Sequence, residues 1–138
     1  MSYFIWTKEL DVKVEKMNAQ HKILIDLMGE LFQLTSLRES KQRTLQKLNQ
    51  LASFTRKHFR EEELYMDAIN FKGRDTHKII HQHLLDELDV HVEGFKNHHQ
   101  LLSNEFFFFL RHWLTVHIKH IDVKYGIASE QLVIARAV

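Results

Sequence analysis

The 138-residue chain contains no cysteine, no proline and only four glycines. Without thiols it forms no disulfide, no thiolate metal site and no iron–sulfur cluster, and it uses no cysteine nucleophile, so any metal it holds rests on nitrogen and oxygen. Without proline nothing covalent interrupts a helix, and long uninterrupted helices are expected. An excess of one charge is missing too: Lys+Arg 19 against Asp+Glu 18 leaves a net charge of +1, which argues against a nucleic-acid partner. The longest apolar run, residues 106–110, falls far short of the roughly 20 residues of a membrane span. Residues 1–15 are acidic and lack the apolar run of a signal peptide, so the expectation is a soluble, cytoplasmic protein with no membrane partner. Glycine-rich phosphate loops, EF-hand spacing, coiled-coil heptads and internal repeats are also lacking. What the chain has in quantity is histidine, 11 in all.

Residues 3–14 carry Tyr3, Phe4, Ile5 and Trp6 before any helical period begins, and read as an extended arm across a core. Asn18 is placed to cap a first helix whose Leu24, Leu27, Met28, Leu31 and Leu34 share one stripe. After a polar turn over residues 35–43, a second helix carries Leu45, Leu48, Leu51, Thr55, Phe59, Glu62 and Met66 and ends before Asn70. Asp75 or Thr76 caps a third, marked by Ile80, Leu84, Leu85, Leu88, Val92 and Phe95 and fraying over residues 94–97. Ser103 or Asn104 caps a fourth with Phe107, Leu110, Trp113, Leu114, Ile118 and Ile121, and Gly126 is its expected stop. Residues 127–138 have the composition of a short fifth helix. The expected fold is all-α: an antiparallel up-down-up-down four-helix bundle with an extended N-terminal arm and a short C-terminal helical tail. It forms one domain, residues 1–138, with its core over about residues 18–125.

A bundle core ordinarily takes leucine at inward positions, yet His21, His58, His77, His81 and His117 fall in or beside the apolar stripes. His58 and Glu62 are four apart, as are His77 and His81, so each pair projects to one side of its helix at adjacent levels. Asp122 stands five residues past His117, about 140° away on an ideal α-helix, so both reach inward only if the helix widens locally to a π turn. A lone histidine pair at helical spacing carries little weight; its conjunction with partners on four helices carries much more. Five imidazoles and two carboxylates exceed the four ligands of a structural zinc and suit two carboxylate-bridged ions with one position open. Iron, zinc, nickel and copper all fit such donors better than calcium or magnesium, and composition does not choose among them. His83, His91, His98, His99, His112 and His120 lie off the stripes or in polar surroundings and are expected at the surface. In the acidic run Glu61, Glu62 and Glu63 only Glu62 is in phase with His58, the others belonging to a solvated face. Of Phe106, Phe107, Phe108 and Phe109, some must point away from the bundle. That surface, or the C-terminal tail, is the candidate face for a protein partner or self-association.

These residues, in this order and spacing, resemble the hemerythrin family, and most closely its single-domain bacterial members. The matching pieces run from Trp6 to Tyr125: Gln20 and His21 after Met17 and Asn18; His58 and Phe59 with Glu62, Glu63 and Met66; His77 with His81; Trp113 and Leu114 leading to His117, Ile118, Asp122 and Tyr125. The resemblance implies a non-heme diiron centre. His77, His81 and His117 would hold one iron and His21 and His58 the other, with Glu62, Asp122 and an oxo or hydroxo group bridging both. It further implies that the second iron keeps an open position where dioxygen binds reversibly, walled by Leu24, Trp113, Leu114 and Ile118, which offer no acid or base to protonate it toward cleavage. Two departures stand out: Asn18 replaces the family's usual aspartate, and Lys72 its usual proline.

A small oxygen-binding protein for storage, delivery or sensing is therefore the leading expectation, and not an enzyme. A diiron oxidoreductase acting on oxygen, peroxide or nitric oxide is the alternative in the enzyme class. A metal storage or handling protein using the six extra histidines is the alternative in the binding class.

Overall fold

The computed structural model describes residues 4–137; Tyr3 of the expected arm and Val138 of the expected tail lie outside them. Four long helical stretches form a bundle: α1 (Glu15–Ser36), α2 (Lys41–Ala68), α3 (Arg74–Asn97) and a fourth that runs without a break from Asn104. This fourth stretch comprises α4 (Asn104–Trp113), a π-helical segment (Leu114–Asp122) and α5 (Val123–Ala137). Residues 37–40, 69–73 and 98–103 connect them, short enough that successive helices run antiparallel side by side. Leu24, Met28, Leu31, Leu48, Leu51, Met66, Leu88 and Leu110 fill the interior, each with at most 2% of its surface exposed. Aromatic edges lock the seams, Phe32 of α1 against Phe107 of α4 at 5.0 Å and Phe59 of α2 against Trp113 at 5.7 Å.

The helix ends differ from expectation in three places. α1 begins at Glu15, three residues before Asn18, because that side chain serves the arm: its Oδ1 accepts the Val12 N–H at 3.0 Å and its Nδ2 donates to Asp11 at 2.7 Å. Neither Asp75 nor Thr76 caps α3, whose N-cap is Gly73 without a side-chain bond. Ser103 caps α4 as expected, and Ser40, within the stretch read as a turn, caps α2, each accepting a backbone N–H three residues on. The third difference is Gly126, which does not stop the fourth helix. A Cβ there would fall 1.8 Å from the Val12 carbonyl oxygen, so its bare backbone lets the arm close onto the helix. The expected fifth helix is thus a continuation of the fourth.

The arm is not wholly extended, since Lys8–Leu10 form a single 3-10 turn. Phe4, Leu10 and Val12 are buried along it, and Glu9 pairs with Lys119 of the π segment at 3.4 Å. The arm therefore braces the part of the fourth helix that carries His117 and Asp122.

Candidate metal centre

His21 comes from α1, His58 and Glu62 from α2, His77 and His81 from α3, and His117 and Asp122 from the π segment, and none of the seven is more than 4% exposed. The π segment answers the geometric difficulty of the five-residue spacing. Wider turns rotate less per residue, so five residues come back nearer to one full turn than on an α-helix, and His117 Nε2 and Asp122 Oδ1 meet at 2.9 Å.

The two carboxylates divide their oxygens between two sets of imidazoles. Glu62 Oε1 faces His81 Nε2 at 2.9 Å and His77 Nε2 at 3.5 Å, while Oε2 faces His58 Nε2 at 3.4 Å and His21 Nε2 at 3.5 Å. Asp122 Oδ1 lies 2.9 Å from the Nε2 atoms of both His77 and His117, and Oδ2 lies 3.1 Å from that of His21. Ligand atoms of Glu62, His77, His81, His117 and Asp122 all lie within 4.8 Å of one another, and so do those of His21, His58, Glu62 and Asp122. Three histidines belong to one group, two to the other, and both carboxylates to both.

The surrounding hydrogen bonds fix the ring tautomers. Gln20 Nε2 donates to Glu61 Oε2 at 2.7 Å, so its carbonyl end must face His58 Nδ1, 2.6 Å away, and His58 carries its proton on Nδ1. Glu63 Oε2, a pure acceptor, does the same for His81 Nδ1 at 2.8 Å. Both rings then turn Nε2 to the interior, where it takes a metal or, without one, a second proton. His81 is also held by Phe59, stacked on it at 3.8 Å with the planes 4° apart. Glu61 and Glu63 are therefore not the solvated face expected from sequence: flanking Glu62 on α2, one reaches toward α1 and the other toward α3. Tyr125 adds a third support, its hydroxyl donating to Glu62 Oε2 at 2.7 Å. Adjacency to His21 and Glu62 was the available signal for Gln20, Glu61 and Glu63; nothing local marks the bond from Tyr125, which spans 63 residues.

A cation suits this arrangement. His77 Nε2 and His117 Nε2 approach to 3.2 Å, which sets lone pair against lone pair unless a proton or metal intervenes. Unless the rings take a second proton, His21 Nε2, His81 Nε2, Glu62 Oε1 and both Asp122 oxygens are buried with no hydrogen-bond partner, a costly state for polar atoms away from water. Protons fill the role in the metal-free chain. Burial disfavours charge on His21 and His77, yet hydrogen bonds and attraction from Asp122 and Glu62 prevail and raise each to about 9. Burial raises the carboxyl of Glu62, but the charge of His58 and bonds from His21, His58 and His77 hold it well below the ordinary range. Asp122 is lowered likewise, with His117 and His21 outweighing burial and the neighbouring Glu62 charge.

Leu24, Trp113, Leu114 and Ile118 are all buried. Leu24 lies one turn beyond His21, and Leu114 and Ile118 flank His117 along the π segment. Among the remaining histidines, His83, His98, His99, His112 and His120 are exposed as expected. His91 departs from that expectation, half-buried against the rings of Phe106 and Phe109 at 5.0 and 5.6 Å. Among the described residues, no group of three or more potential ligands forms outside the central cluster.

Fold and site together define a four-helix-bundle protein with a buried histidine–carboxylate site for two metal ions. No family model matches the chain. It is 30% identical over 122 residues to a hemerythrin of Sipunculus nudus, covering 88% of this chain and 90% of that one. It is 31% identical over 120 residues to the myohemerythrin of Theromyzon tessulatum, covering 87% and 88%. The crystal structure of a wild-type hemerythrin superposes with a TM-score of 0.87 at 23% identity, over 92% of this chain and 98% of the other. The chain belongs to the hemerythrin family, and its donor set matches a diiron site of that type.

Proposed function

We propose that this protein binds dioxygen reversibly at a diiron centre, as a carrier, store or sensor and not as a catalyst. The observation that carries this reading is the unequal division of imidazoles between two shared carboxylates. His77, His81 and His117 serve one metal position and His21 and His58 the other, with Glu62 and Asp122 common to both, so the two-histidine position has one protein ligand fewer and room for a small exogenous molecule. When bound, the iron pair supplies the electrons and the exchangeable coordination position for dioxygen. Leu24, Trp113, Leu114 and Ile118 enclose the two-histidine side with apolar surface, exclude water and offer no carboxyl or imidazole to donate a proton there. Tyr125 holds Glu62 in place; burial and the charges of Glu62 and Asp122 push its phenol well above its ordinary pKa, so it stays protonated and remains a donor.

The reading includes a cytoplasmic setting, in keeping with the lack, among the described residues, of a helix long and apolar enough to cross a membrane. It also includes protein contact or self-association through the tail, where Leu132, Val133 and Ile134 are exposed, or through Phe108, which is 65% exposed.

The test is iron content together with absorbance of the anaerobically reduced protein before oxygen, under oxygen and after its removal. Two irons per chain and a reversible spectral change are expected. Steady consumption of oxygen with an electron donor would instead select the oxidoreductase.

A further inference from the structure

Behind the ligands, and resting on the ligand assignment proposed for them, a second asymmetry separates the two metal positions. His58 and His81 are each anchored through Nδ1 by one side chain of the same length at nearly the same distance, 2.6 Å to Gln20 and 2.8 Å to Glu63. The anchors differ in charge. A carboxylate draws the imidazole proton toward itself and makes the opposite nitrogen a stronger donor, whereas a carboxamide orients the ring without that push. The neutral end faces His58 because Gln20 is held by Glu61, and the Glu61 charge is in turn faced by Lys16 at 3.6 Å. Charge is therefore present near both histidines, but at His58 it is kept one residue further back.

From this geometry we infer that Gln20 and Glu63 are positioning residues that make the two metal positions unequal: Glu63 favours the trivalent ion at the three-histidine position, and Gln20 keeps the two-histidine position easier to hold divalent. The inequality tunes the proposed reaction, because the position that admits the exogenous molecule is the one not pushed toward permanent oxidation.

A charge-conserving swap tests it. Gln20→Glu combined with Glu61→Gln exchanges the charged and neutral ends of one hydrogen-bonded pair and places the carboxylate against His58. Glu63→Gln removes the carboxylate from His81. Zinc stoichiometry, which needs no redox chemistry, shows whether each variant still holds two ions. Spectroelectrochemical titration of the iron-loaded protein then reads the ferric-to-ferrous ratio at a fixed potential. The double swap is expected to raise that ratio by about tenfold and Glu63→Gln to lower it by about tenfold, the scale on which changes behind the ligands act on a metal site. In Mössbauer spectra the double swap should move the doublet of one iron and Glu63→Gln that of the other. Shifts of opposite sign support the inference, because a merely supportive role would move both variants in the same direction. Two bound zinc ions with unchanged ratios, or shifts of one sign, overturn it while leaving the ligand reading intact. Failure of the wild-type chain to bind two zinc ions overturns both. If the double swap alone fails to bind two zinc ions, a lowered ratio in Glu63→Gln with the doublet of one iron moved and the other unchanged supports the inference, and an unchanged or raised ratio, or both doublets moved, overturns it.

Discussion

The Tyr125 hydroxyl and Glu62 Oε2 lie 2.7 Å apart at the centre of the bundle, and that oxygen is the one turned toward His21 and His58. A hydrogen bond to a buried charged acceptor contributes about 1.5–3 kcal/mol. Tyr125→Phe removes the donor and little volume. The metal-free variant should lose about 2 kcal/mol, seen as a lower urea midpoint with an unchanged slope. An unaltered midpoint would show that Glu62 is held by its imidazoles alone.

Acidity gives a second prediction, for protein stripped of metal. His21 and His77 are raised from 6.5 to about 9, so each binds its proton more tightly folded than unfolded. Their contribution to stability is fully present below pH 6.5 and is lost as pH rises through about 9. Glu62 and Asp122 are lowered, so theirs is present above their ordinary values of 4.5 and 3.8 and is lost as pH falls through their depressed folded values. Stability of the metal-free chain should therefore be greatest between about pH 4.5 and 6.5 and decline by a few kcal/mol toward pH 9. Divalent-metal affinity should climb over that alkaline interval, since binding displaces the same protons. Urea titrations and zinc binding measured across pH check both trends; parallel rather than opposite trends would refute the linkage.

Leu114 is 4% exposed and stands one turn before His117 on the π segment. Leu114→Ala removes part of the apolar wall proposed around the open position and admits water there. The oxygenated form should decay about tenfold faster, a barrier change of about 1.4 kcal/mol. Cavity formation should also cost about 2–5 kcal/mol of stability. Timed absorbance of the oxygenated protein measures the first effect, and equal lifetimes in the two proteins would remove Leu114 from the pocket.

Much of this was legible in the sequence, for identifiable reasons. Apolar periodicity marks the four helices because each buries one stripe, and the seven inward polar residues stand out because leucine is the default there. Even the strain between His117 and Asp122 could be read from spacing, and the π segment is its resolution. Apart from the cap of α3, where the reading failed the deciding contact was made by the N-terminal arm or across helices. Asn18 resembles a cap but bonds to Val12, six residues earlier, and Glu61 and Glu63 resemble surface but bond to residues on α1 and α3. Periodicity describes one helix at a time and carries no record of such partners.

Gly126 gives the most direct test of how the arm is held. Its local sequence predicts a helix end, yet the helix continues, and the position is buried against the Val12 carbonyl. An added methyl would meet backbone rather than the yielding end of a side chain, so Gly126→Ala must displace the arm or the helix. Overpacking of this kind costs about 1–3 kcal/mol, more than the gain of about 0.5–1 kcal/mol that alanine brings to a helix. The substitution should therefore lower stability, against the ordinary helical trend. Displacing the arm also unseats Phe4, Leu10 and Val12 and breaks the brace from Glu9 to Lys119, next to His117 and Asp122. Zinc affinity should fall together with stability, whereas Gly29→Ala, whose Cβ meets only Phe4 at 3.9 Å, should leave affinity unchanged and raise the urea midpoint. Equal behaviour of the two variants would show that the close approach of arm and helix is not what holds the π segment in place.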